Sequence, residues 1–344
     1  MILQQILLHI FYKLNNERTI NAAYHLLRGK RSGQTIQDVG IFKLYPHFGL
    51  LRKLSRQTFE QEVQTLRDND YITVDENGYF TLTAAGEEQV SQLQLPYFDG
   101  WHYRGNEHIF FARLSLVVQS LSNQSAGIHA FIPVQREEQI QAWCRQFLRD
   151  TKYQSNAIQQ SLYEEIISSL EQSAMPTLQK ELLMNRLTGV GVIGIPWQQL
   201  SFEYQMPELD CQLQFVSGLH RWLDAINHDG TRWSYLSKLA EQIRMENVLT
   251  GSAYQTAQLY HQGYAVEQIC EMRRLKPSTI EDHLVELAIN EPTFDITPFV
   301  TMEEQRQVHS AVEDYATRKL KVLHTVLPHL TYFQIRLVLA KGEV

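Results

Sequence analysis

The sequence predicts a mainly α-helical protein in three segments: a winged helix-turn-helix over residues 1–95, a central helical bundle over 96–250 and a helix-turn-helix domain over 251–344. Three observations predict it. Apolar residues recur at three- and four-residue spacing along most of the chain. One stretch, around Asn77-Gly78, carries the β-formers and turn residues of a hairpin. A chain of 344 residues exceeds the size at which a single core stops growing, so more than one domain is expected.

In the first segment Leu3, Ile6, Leu7, Ile10, Phe11 and Leu14 share one helical face, and Ala22, Ala23, Leu26 and Leu27 another. A third helix is expected over 34–44. A fourth follows over 56–69, with Ser55 as N-cap and Phe59, Val63 and Leu66 on its buried face. Tyr71, Ile72, Thr73 and Val74 then favour a strand, Asn77-Gly78 is the favoured two-residue hairpin turn, and Tyr79, Phe80, Thr81 and Leu82 return. Thr83 caps a closing helix over 84–95, and Pro96 and Gly100 end the segment. Helices, a hairpin and a closing helix in that order make a winged helix-turn-helix, with the fourth helix placed for a DNA groove and the hairpin as wing.

The middle of the chain stays helical, with apolar faces in 109–121, 140–148, 158–170 and 209–226. Pro133, Pro176, Pro196 and Pro207 punctuate them where helices start or stop. Trp101, Tyr103, Trp143, Trp197 and Trp222 are read as packing residues. Residues 231–251 look like a helix and a hinge. Beyond them, 252–262 is helical, Gly263 breaks the helix, and Val266, Ile269 and Cys270 form the face of a second short one. Ser278 and Glu281 fit a capping box, opening a third helix with Ile280, Leu284, Leu287 and Ala288 on its apolar side.

Composition narrows the class. Apolar residues make up 44% of the chain, enough for packed cores, and the net charge of −7 excludes a protein that coats nucleic acid by bulk charge. Any DNA binding must come from local patches. Cys144, Cys211 and Cys270 are far apart and lack the spacing of a zinc site, which fits reduced core thiols in the cytoplasm. The apolar opening stretch is interrupted by Gln4 and Gln5, and Lys13 follows it instead of preceding it, so neither a secretory signal nor a membrane span is expected.

The run 263–269 (GYAVEQI), followed by 273–284 (RRLKPSTIEDHL), resembles the helix-turn-helix domain found at the C-termini of many RecQ helicases, and 330–340 (LTYFQIRLVLA) is similar to the end of that domain. The N-terminal run 18–32 (RTINAAYHLLRGKRS), with 34–38 (QTIQD), resembles the start of proteins of the YpbB family. The resemblance implies a helicase-type helix-turn-helix in the third segment. It also implies a non-enzymatic accessory that works beside a separately encoded RecQ-like DNA helicase in repair or recombination. The stretch 97–229 carries no independent match.

Phosphate recognition favours Lys and Arg. Arg28, Lys30 and Arg31 crowd one turn, and Arg52, Lys53 and Arg56 gather at the start of the fourth helix, with Lys43 between and Gln57 beside them. A helix N-terminus among three cations is a phosphate site, although an ordinary solvated basic face fits the same residues. Arg273, Arg274 and Lys276 precede the third helix of the C-terminal domain and are further candidates for DNA binding. On that helix the exposed positions are expected to hold Glu281, Asp282 and Glu286, with Thr279 and His283 alone suited to a groove. Carboxylates facing DNA are repelled, so these five residues are expected to bind a protein partner.

No catalytic constellation stands out, and no cofactor or metal is expected. The phosphate loop of an ATP-driven motor is missing. The G-x-G-x-x-G match at 189–194 follows helical sequence and precedes Pro196, so a loop is expected there, not a dinucleotide site. The histidines form no metal-binding spacing, and adjacent glutamates on helices point to different sides. The expected partners are a RecQ-like helicase and duplex or branched DNA, with no membrane, in a cytoplasmic and nucleoid-associated setting. The competing reading is a transcriptional regulator of the winged-helix class, for which Gln57, Thr58, Gln61 and Gln64 could read bases.

Overall fold

The helical periodicity becomes nineteen helices among the described residues of a computed structural model, which are 1–151, 157–245 and 249–342. Toward the N-terminus lie α1 (Ile2–Leu14), α2 (Ile20–Leu27), α3 (Gly33–Ile41), α4 (Arg56–Asp68), strands β1 (Ile72–Val74) and β2 (Phe80–Leu82), and α5 (Ala84–Ser91). The middle holds α6 (Gly100–Tyr103), α7 (Glu107–Ser125), α8 (Glu138–Asp150), α9 (Ala157–Gln172), α10 (Thr177–Asn185), α11 (Trp197–Glu203), α12 (Glu208–His228) and α13 (Ser234–Leu239). The remainder is α14 (Gly251–His261), α15 (Val266–Arg273), α16 (Pro277–Asn290), α17 (Met302–Asp314), α18 (Leu320–Val326) and α19 (Tyr332–Lys341). The protein is mainly helical, as the apolar spacing predicts.

Two compact units emerge: Met1–Ile6 with Gln94–Glu246, and Leu7–Leu93 with Asn247–Val344. Most of the N-terminal segment and the C-terminal one, expected as separate, thus share the second unit, while Met1–Ile6 belongs to the first.

In the first unit α12 carries the core, with Leu219, Trp222, Leu223 and Ile226 wholly buried. Trp222 meets Phe110 edge-to-face and donates its indole N–H to Ser169 Oγ at 2.8 Å, so its one polar atom is satisfied. Trp143 and Trp197 are half-buried, each covered by a guanidinium at 4.3 Å, from Arg113 and Arg186 respectively. Tyr97 and Tyr103 both donate to Asp224, and Arg244 bridges Asp224 and Asp99, a polar clip that fixes the entry to α6. The glycine-rich 189–194 stretch is a tight loop in which Gly189 and Val192 pair, leaving Val192 and Ile193 exposed.

In the second unit Ser55 caps α4 by accepting from the Thr58 amide, and Phe59, Val63 and Leu66 face inward, as the sequence predicts. Phe59 packs on Tyr24 of α2, and Phe80 of β2 on Phe11 of α1. Phe59, Phe80 and Phe11 are essentially unexposed, a burial that contributes about 2–3 kcal/mol apiece. β1 and β2 pair antiparallel in the register Ile72–Leu82, Thr73–Thr81 and Val74–Phe80.

The turn between them differs from the expected two-residue one. A type I′ turn needs positive φ at both central residues, and of the pair Asn77-Gly78 only Gly78 has it, at +82°. The strands stop earlier, and Asp75 organises the loop instead. Its carbonyl accepts from Gly78, its amide donates to the Tyr79 carbonyl, and its Oδ1 takes the amides of Asn77 and Tyr79. An aspartate able to hold two amides outcompetes the tighter turn. α5 also ends at Ser91, earlier than expected.

A second correction concerns α16. Ser278 lies inside the helix, not at its cap: Lys276 is the N-cap and Pro277 occupies the first turn. Proline's fixed φ and missing donor suit that position, which moves the start upstream of the capping-box pattern.

Candidate nucleic-acid interface

The surface around the start of α4 is built from three pieces of the second unit. α4 presents Arg56 and Gln57 to solvent, and Arg52 and Lys53 precede it, also exposed. Arg28 ends α2 and reaches the Arg52 carbonyl at 3.2 Å, which ties the two basic groups together. Arg56 lies over the rings of Tyr24 and Phe59, and pairs with Glu60 at 2.6 Å and with Asn21 at 2.6 Å. The aromatic pair therefore acts as a platform that holds two guanidinium groups, Arg28 and Arg56, above α2. His25 sits among them. Partial burial and the nearby Lys30, Arg56 and Arg28 push its pKa below the ordinary histidine value, so it is neutral among cations at neutral pH.

Two of the expected cations lie elsewhere. Arg31 donates to the Leu249 carbonyl at 3.1 Å, a tether between the two chain segments of the unit. Lys43, at φ +54°, sits beside Gly342 and Arg318, and burial together with Arg318 lowers its pKa.

The C-terminal helices form a helix-turn-helix: α14, α15 and α16 with a left-handed Arg274 at the turn. Arg273 is half-exposed, and its guanidinium is engaged within the domain. Its guanidinium binds the Ser252 carbonyl at 2.6 Å, Gln255 at 3.0 Å and the Thr256 hydroxyl, stapling α15 to α14. Arg274 and Lys276 are exposed.

α16 packs against α14, α19 and α3, and of the expected row of exposed carboxylates Glu286 is buried, while Glu281 and Asp282 are half-exposed. Glu286 is buried and accepts from the Thr250 amide and hydroxyl, so it secures the start of α14. Asp282 pairs with Arg336 of α19 and accepts from Gln37 of α3 at 3.4 Å. Glu281 lies 3.9 Å from the same Arg336. His283 is buried against the Thr256 hydroxyl at 2.8 Å, and Thr279 is half-exposed. The physical reason is that a third helix surrounded on three sides must satisfy its polar groups within the chain. Periodicity alone reads those groups as solvated.

Sequence reasoning misses a basic run. Arg318, Lys319 and Lys321 put three cations within four residues, and the structure sets Lys319 against the β1–β2 hairpin. The charge run is the signal that could have found it. Cys144 and Cys211 are buried free thiols, while Cys270 is half-exposed. Among the described residues no group of three or more His, Cys, Asp or Glu is arranged to hold a metal ion, and no helix is long and apolar enough to cross a membrane.

Comparison with known proteins agrees with the C-terminal architecture: a family described as a helix-turn-helix domain matches residues 252–339. No solved structure matches the chain. Protein YpbB of Bacillus subtilis (strain 168) is 32% identical over 337 residues, spanning 96% of this chain and 94% of that protein. With similarity on that scale across nearly the whole of both proteins, the chain belongs to the YpbB family.

Proposed function

We propose that the chain is a non-catalytic accessory protein that engages duplex or branched DNA through the basic face at the start of α4 and works beside a RecQ-like DNA helicase in repair or recombination on the nucleoid. The observation that carries the DNA reading is the convergence of Arg28, Lys30 and Arg56 on His25, with Arg52 and Lys53 adjoining. Cations fixed on an aromatic platform engage phosphates at low entropic cost.

The arrangement supports a winged helix. Thr19, between α1 and α2, makes an isolated β-bridge to Tyr79 at the loop end of the hairpin, which ties the helices to it, with α4 as the groove-facing helix and the hairpin as the wing. On this reading residues 1–95 touch DNA, and 251–344 brace residues 7–93 within the same unit. Residues 96–250 supply a protein-docking surface, for which the exposed Ile132, Ile193 and Phe202 are the apolar anchors. The helicase partnership draws its support from the similarity of the C-terminal domain to RecQ C-termini.

A regulator remains the second reading because Gln57 and Gln61 are exposed on α4. Titrations against duplexes of scrambled sequence at several salt concentrations separate the two. Similar affinities with a steep salt dependence fit the accessory, whereas one strongly preferred sequence fits the regulator. Binding that is absent or indifferent to salt would refute the basic-face reading. Capture on the tagged full chain, followed by identification of a helicase or of none, tests the partnership.

A further inference from the structure

We infer that the outward face of the β1–β2 hairpin and the basic run at 318–321 form a clamp for an unpaired DNA strand, one base lying on Tyr79 and the flanking phosphates on Lys319 and its neighbours. The inference rests on the DNA-binding reading above and adds a second site for single-stranded DNA.

The strand period creates the platform. In β1 and β2 the inward positions are Ile72 and Phe80, nearly unexposed, so the paired Thr73 and Thr81 turn outward. Tyr79, at the loop end of β2, leaves 42% of its surface open. Its backbone is fixed on two sides, by the bridge to Thr19 and by the hydrogen bond from its amide to Asp75 Oδ1, so the residue is anchored while its side chain borders solvent. A cleft of about 260 Å³ opens here, lined by Asn16, Thr73, Asp75, Tyr79, Thr81 and Lys319. That volume lies just below the usual range of ligand sites and is sized for one small flat group.

The opposite wall is placed by a buried anchor. Glu17, only 6% exposed, accepts from the Thr317 hydroxyl at 3.1 Å and from the Arg318 amide, which pins the start of the basic run beside the α1–α2 turn. Arg318 and Lys321 are exposed and Lys319 borders the cleft. A fixed aromatic face next to a row of cations is the pairing that single-stranded nucleic acid uses: bases stack and phosphates follow the charges. Asp75 also lines the cleft, but its Oδ1 is committed to the loop amides, and its charge keeps phosphates on the Lys319 side.

The test uses the full chain and two labelled probes, a short oligo-thymidylate and a blunt duplex of equal length, titrated at several salt concentrations. Tyr79→Ala is expected to weaken oligo-thymidylate binding by roughly five- to a hundredfold, while Tyr79→Phe keeps it, because the ring and not the hydroxyl does the stacking. Lys319→Ala should weaken it further and flatten the salt slope by about 0.7. Lys319→Ala should leave duplex affinity unchanged, and Tyr79→Ala, which alters the wing, should weaken oligo-thymidylate binding by a larger factor than duplex binding. The combined Arg52, Lys53 and Arg56 to Ala variant should do the reverse. Wild-type protein that ignores oligo-thymidylate, or a Tyr79→Ala protein that binds it normally, overturns the clamp whatever the duplex data say. Equal weakening on both probes assigns Tyr79 to duplex binding and overturns it too. A basic-triple variant with intact duplex affinity refutes the α4 reading alone.

Discussion

A methyl group built on Gly40 of α3 would stand 2.6 Å from Cγ1 of Ile289 in α16, and within 2.9 Å of two more atoms of that side chain. The two helices touch at this point because one of them has no side chain there. The apposition joins the first hundred residues to the last hundred.

Gly40→Ala should therefore destabilise the second unit by about 1–3 kcal/mol, overpacking outweighing the roughly 1 kcal/mol that alanine offers inside a helix. Adding Ile289→Ala should recover part of the deficit, so that the double variant is more stable than the sum of the singles implies. Urea unfolding of the four proteins measures this. A Gly40→Ala protein more stable than wild type would show that α3 and α16 are not so closely apposed.

That apposition also marks where sequence reading stops. Residues that interact with neighbours three or four positions away are legible: the buried face of α4 at Phe59, Val63 and Leu66, the Ser55 cap and the Thr83 cap all follow from local spacing. So is the helical character of the C-terminal stretch. Residues whose partners lie hundreds of positions away are not. Nothing near Asp282 announces Gln37, and nothing near Arg31 announces Leu249. The β-formers reveal the hairpin but not its turn, because Asp75 acts through a side chain that propensity does not weigh.

His47 offers a pH test. It is buried with its Nε2 2.8 Å from His9 Nδ1, and burial together with the His9 charge holds its pKa down to about 3, against 6.5 for an ordinary histidine. The folded state refuses a proton that the unfolded state accepts. Its contribution to stability is thus complete above about pH 6.5 and declines as the pH falls toward 3. His47→Gln removes this titration while keeping a polar partner for His9, so the variant should lose less stability than wild type between pH 7 and pH 4, whatever its stability at neutral pH. Parallel slopes in urea midpoint against pH would sink the assignment.

Changing Arg52, Lys53 and Arg56 to Ala should weaken duplex binding on all sequences and lower the salt slope by about 0.9 for each phosphate that is no longer neutralised. Stability is expected to fall as well, because Arg56 covers Tyr24 and Phe59 and bonds Asn21. Arg52 and Lys53 are exposed, so their double variant isolates the electrostatic effect: folding near wild type, binding and salt slope both reduced. Unchanged affinity in that double variant would count against this face.

The acidic residues of α16 give the sharpest contrast between sequence and structure. Read as a solvated row, Glu281, Asp282 and Glu286 repel DNA, and removing them raises affinity. In the fold Asp282 neutralises Arg336 and reaches Gln37, and Glu286 holds the amide and hydroxyl of Thr250 at the start of α14. Deleting both leaves a largely buried arginine and a helix start without these partners. The triple alanine variant should lose about 2–4 kcal/mol of stability, most of it from Asp282 and Glu286. Glu281→Ala alone should cost less than about 0.5 kcal/mol, since its pairing with Arg336 is long and partly solvated. Urea unfolding of the singles and the triple, with duplex titration of those that remain folded, decides the matter. A triple variant of wild-type stability and higher DNA affinity would return these carboxylates to the surface and α16 to the groove.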